Sequence, residues 1–132
     1  MYDARAVHEI LIKEFPQINI EIIIVWIDML AADNATTANE AAKIFQDDNV
    51  VQFHDPNRLV GKVIADSLGA NNAVGWDIYL FYNAESTWEE MPPLPLTWAH
   101  QLDDLWADPN RFAWEDNLPI RFRDIMNSLT ET

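Results

Sequence analysis

The chain reads as one α/β domain over residues 1–132: a three-layer α/β/α sandwich on a mixed sheet of about four strands. Three observations carry that reading. Residues 22–27 run Ile-Ile-Ile-Val-Trp-Ile without a break, a density of β-branched and aromatic side chains that suits a strand covered on both faces. Helical spacing and strand-forming runs then alternate along the chain, the pattern of parallel strands joined by right-handed crossovers. The composition, 49% hydrophobic with 6 Trp and 6 Phe in 132 residues, suffices for one core.

Residues 3–15 predict a helix, because Val7, Ile10, Leu11 and Phe15 share a face. Asp3 serves as its N-cap and Pro16 blocks its continuation. The isoleucine-rich strand follows within residues 18–30, the interior of the expected sheet, and ends near Asp28. It is too short and too interrupted (Asn19, Glu21, Asp28) for a membrane span, which needs roughly 20 apolar residues. Asp33, Asn34, Thr36 and Thr37 offer several caps, Thr37 with Glu40 has capping-box spacing, and Ala38, Ala41, Ala42 and Phe45 then form a stripe of mostly small residues.

Residues 50–53 predict a short strand that delivers His54 and Asp55 at its carboxyl end. Asp55-Pro56 reads as a helix start, with Asp as cap and Pro at the first helical position. Leu59, Val60, Val63, Ile64 and Leu68 supply the buried face of that helix, and Gly69 suits the position just past its end. Residues 76–82 predict a third strand. An acidic connection stiffened by Pro92, Pro93 and Pro95 leads to a half-buried fourth strand at residues 96–102. Residues 103–117 carry little signal beyond the anchors Trp106, Phe112 and Trp114. Pro119 opens a last helix, in which Leu118, Phe122, Ile125 and Leu129 share a face.

The formal charge is −14, from 22 acidic and 8 basic side chains, a field that repels phosphate backbones and anionic lipid. Nucleic acid and membrane are therefore not expected partners; a protein, either another chain or a second copy, is. With 0 cysteines, this chain offers no disulfide, thiolate nucleophile or cysteine metal site. A cytoplasmic location fits that usage and the absence of a visible secretory signal in the first ten residues. No nucleophile elbow, phosphate loop or dinucleotide fingerprint occurs, and no cofactor is expected.

The series from residue 20 to residue 82 resembles the thioredoxin-like superfamily, especially its peroxiredoxin-like branch. The residues that carry the likeness are Trp26-Ile27-Asp28 ending one strand, His54-Asp55-Pro56 ending the next, a helix closing at Gly69, and the strand Asp77-Ile78-Tyr79-Leu80-Phe81. The family's redox cysteines would fall near Tyr2 and Asp3, where none stands, and its first strand has no counterpart here. Val74-Gly75-Trp76 also replaces the usual cis-proline. The resemblance thus implies the fold without thiol–disulfide or peroxidase activity, since that exchange needs a thiolate. A vacant sheet edge is then expected, open to a strand from another chain.

Open parallel sheets bind ligands at the carboxyl ends of their strands. The candidate binding residues are accordingly His54 and Asp55, together with Trp76 and Asp77 at the third strand and Trp98 and His100 on the fourth; Asp28 lies at the same level on the first. His54 beside Asp55 could form an oriented general base. Asp55 has a simpler role as helix cap, and Trp98 with His100, two residues apart on one strand face, a simpler role in packing. No catalytic or metal-ligating residue is assigned. Two functions follow. The first is a non-catalytic domain acting by protein binding or self-association, which predicts an exposed apolar patch or a vacant edge. The second is an enzyme or small-ligand protein in which the His, Asp and Trp side chains converge on a pocket.

Overall fold

The computed structural model describes residues 2–130, without the side chains of Tyr2, Asp3 and Thr130. The proposed cap by Asp3 therefore lies outside the described groups. Helix α1 (Tyr2–Ala6) runs into a π-helical stretch (Val7–Lys13), followed by β1 (Ile22–Ile27), α2 (Ala35–Ala42), β2 (Val50–Asp55) and α3 (Leu59–Ser67). Then come β3 (Ile78–Phe81), β4 (Thr97–His100), a 3₁₀ turn (Pro109–Arg111) and α4 (Asn117–Thr130). The mixed α/β class and the order of elements are those expected. The sheet is not: β1 pairs with β2 in parallel and β3 with β4 antiparallel, as two separate two-stranded sheets.

The core explains the difference. It gathers around α4, where Leu118, Phe122 and Met126 are fully buried, and adds Ile10, Leu11 and Phe15 from the N-terminal helical segment and Phe81 from β3. Phe122 meets Tyr79 and Phe81 edge to face, with ring centroids 5.1 and 6.3 Å apart. Of the isoleucine run only Ile22 packs there, alongside Ile18 and Ile20. No residue of β1 is fully buried, and Ile23 is 69% exposed. β1 is thus a strand of an open pair, not a covered interior strand. Its apolar density exceeds what α2 and α3 can hide.

The two faces of the β1–β2 pair differ. On one, Phe45 packs beside Trp26 at 6.5 Å. Gln52 ties this face down: it accepts from Trp26 Nε1 at 2.9 Å and donates to the Ala42 and Phe45 carbonyls at 3.2 and 3.1 Å. On the other, α3 covers only the carboxyl end, where Ile27 and Val74 crowd Gly61. Ile23, Val51 and Phe53 stay bare toward the amino end.

Local capping departs from expectation in part. Of the caps offered, Asn34 serves α2, and the capping box joins Asn34 to Thr37 rather than Thr37 to Glu40: the Asn34 side chain accepts the Thr37 N–H at 3.0 Å while Thr37 Oγ1 accepts the Asn34 N–H at 2.9 Å. Thr37 fills the reciprocal position because Asn34 is already extended and one turn earlier. Helix α3 starts at Leu59, three residues past Pro56, and Arg58 before it is left-handed at φ 60°. Leu59 is accordingly exposed, and Ile64 and Ala65 make the buried face. Gly69, at φ +94°, ends the helix as expected, with Ala70 N–H returning to the Ala65 carbonyl at 3.0 Å.

Candidate functional site

The parallel β1–α2–β2 unit brings residues 28 and 54 to the same depth, because the register sets Trp26 beside His54. His54 Nε2 and Asp28 Oδ1 lie 2.8 Å apart, with side chains 27% and 22% exposed. Arg58 closes the rim from the side: its left-handed backbone turns Nε onto the Asp28 carbonyl at 2.8 Å. Asp33 holds the loop opposite, accepting the Met29 and Leu30 N–H groups at 2.9 and 2.7 Å. The rim is therefore ordered, polar and half open. Among the described residues, His54 has no hydrogen bond besides Asp28, so no hydroxyl stands ready to be activated by the pair.

Asp55 is withdrawn from this rim. It is only 6% exposed, and its carboxylate accepts the N–H groups of Leu59, Val60 and Gly61 at 2.8, 2.9 and 3.3 Å. That is three of the four orphan donors of α3, so the favoured capping role holds and the alternative, an Asp55-oriented His54, is not formed. The two side chains point to opposite faces because they are neighbours on one strand.

His100 and Trp98 belong to the other sheet. His100 is 1% exposed, and both ring nitrogens are engaged: Nδ1 accepts the Leu102 N–H at 3.0 Å and Nε2 meets the Asp108 carbonyl at 2.7 Å. A carbonyl can only accept, so Nε2 carries the proton and the ring is held as a neutral tautomer with no nitrogen left for a ligand. Trp98 stacks on Trp106, centroids 6.4 Å apart, while the Arg111 guanidinium lies 5.3 Å from the Trp98 ring centroid. Arg111 also donates to the Trp98 carbonyl at 3.2 Å and Thr97 Oγ1 at 3.3 Å. A cleft of about 460 Å³ beside Trp98 is lined by Ser67, Gly69, Leu94, Pro95 and Arg111, with the cation already committed to the chain.

Asp77 sits before β3 at φ 49°, its carbonyl accepting the Gln101 N–H at 3.0 Å, and Trp76 is half-buried beside it. The candidate residues thus separate into a rim with Asp28 and His54, a cap at Asp55, and a packed cluster at Trp98 and His100. They do not converge on one pocket. The roles of Arg58 and Arg111 have no marker in the sequence, since each depends on a loop whose path is set by tertiary contacts. Among the described residues no group of His, Asp and Glu is arranged to hold a metal ion, and no helix is long and apolar enough to cross a membrane. Comparison with protein families, with characterised proteins and with solved structures finds no match for this chain.

Proposed function

We propose that this domain is a non-catalytic binding module that works by protein–protein association through the bare half of its β1–β2 sheet. One observation carries the reading: Ile23, Val51 and Phe53 lie side by side on one sheet face at 69%, 52% and 56% exposure. Isolated exposed apolar residues are ordinary, but a contiguous patch on a regular sheet is the mark of a docking surface. Apart from the Asp28–His54 pair, the His, Asp and Trp candidates are dispersed, which supports the same conclusion, because an acid–base site needs its groups within hydrogen-bond reach of one substrate. Without a cysteine, the chain supplies no thiol chemistry of its own.

A photo-crosslinking amino acid placed at Phe53 in cells tests this. A discrete adduct is expected from position 53, lost when Ile23 and Val51 are both changed to Thr. The control site is Ile120 on α4, also exposed at 54%. Equal labelling from position 120, or none from position 53, would remove the basis for the proposal.

A further inference from the structure

Resting on that reading, we infer that the partner is a second copy of this chain, its β2 paired antiparallel with β2 about a two-fold axis at Gln52. The hydrogen-bond parity of the sheet is the starting point. Ile22 N–H bonds the Asn49 carbonyl at 2.9 Å and Asp28 N–H the Asp55 carbonyl at 3.3 Å. In a parallel ladder this phase makes Val51, Phe53 and Asp55 the residues that bond β1, and turns the main chain of Gln52 and His54 outward. Among the described residues those N–H and C=O groups have no partner, while the Val50 N–H only folds back on Asp47 at 3.2 Å. Free strand edges of this kind are templates for another strand.

Two features favour a copy of the chain itself. With Gln52 on the axis, exposed Val51 faces exposed Phe53 of the other copy, and the reverse pair repeats it. The same symmetry carries the end of the sheet that α3 covers, with exposed Leu59, toward the uncovered end of the partner sheet.

The seam brings together Val51, Phe53 and Leu59 with the strand main chain, less apolar surface than the roughly 800 Å² per partner of a standard stable interface. A weak dimer is expected, with a dissociation constant on the order of 10 µM. Each copy carries −14, so long-range repulsion opposes pairing, and added salt should tighten the dimer.

Because the chain has 0 cysteines, single-cysteine variants are free of background. Val51→Cys and Phe53→Cys, mixed at about ten times the expected dissociation constant and oxidised, should give a disulfide-linked dimer at least about 5-fold more abundant than either variant alone. Directly opposed residues lie within disulfide reach, whereas 51 to 51 and 53 to 53 are diagonal at about 7–8 Å. Light scattering should show a dimer at that concentration, abolished by Phe53→Glu with the thermal midpoint unchanged. A monomer throughout, with no mixed crosslink, overturns the second copy as occupant while leaving the binding reading to the position-53 adduct. A dimer without the 51–53 link overturns the β2 pairing.

Discussion

Replacing Asp55 by Ala should destabilise the fold by about 2–3 kcal/mol. Loss of a helix cap costs about 0.5–2 kcal/mol, and hydrogen bonds to a charged group are worth about 1.5–3 kcal/mol each. Three such bonds are present, two at 2.8 and 2.9 Å and one longer at 3.3 Å. Their sum would overstate the effect, because Leu59 is exposed and water can reach the freed donors at the start of α3. Asp55→Asn keeps one acceptor oxygen and should lose about 1 kcal/mol. Urea unfolding at an m-value of about 2 kcal/mol per molar reads the Ala variant as a midpoint lowered by about 1–1.5 M. A midpoint within about 0.2 M of the parent would refute the capping account. So would an Asn variant of unchanged stability that loses protein binding, which would make Asp55 a contact residue.

Phe122→Ala removes the ring at the centre of the core, fully buried between Tyr79 and Phe81, and should cost about 3–5 kcal/mol in the same unfolding assay. Gly61→Ala would set a methyl 2.6 Å from Val74 Cγ1 and 3.2 Å from the Gly75 carbonyl, and should cost about 1–3 kcal/mol as the 74–75 loop is pushed off α3. Gly69→Ala meets no heavy atom within 4 Å, so only its φ of +94° is strained; a loss of about 1 kcal/mol is expected. Burial pushes the Tyr82 phenol above its ordinary value of 10.0. The folded state then holds that proton longer than the unfolded chain, so stability should fall as pH rises through the unfolded pKa, and Tyr82→Phe should flatten the alkaline limb of a pH–stability curve.

Much of the local structure was legible because its causes are local. The β-branched run from Ile22 to Ile27 forms a strand, Pro16 follows the first helical segment, and Gly69 closes α3. Leu118, Phe122 and Ile125 face the core at helical spacing, joined by Met126. The start of α3 was misjudged because Asp55 caps it from within a strand, reaching N–H groups four to six residues ahead. The hydrogen-bond partner of His54 was not legible for a related reason. Adjacent residues on a strand face apart, while Asp28, 26 residues earlier, faces the same way once the parallel register is set.

From its order of residues alone this chain determines which segments are helical or extended, that its field is strongly negative, and that it contributes no sulfur nucleophile. Those properties depend on side-chain identity and short-range spacing. Which side of the β1–β2 sheet stays bare was decided only in three dimensions. The N-terminal helical segment and α4 pack together around Phe122, and α3, nine residues long, leaves Ile23, Val51 and Phe53 exposed. Burial is a competition among distant segments for the same few faces, and its outcome is not written in any one of them.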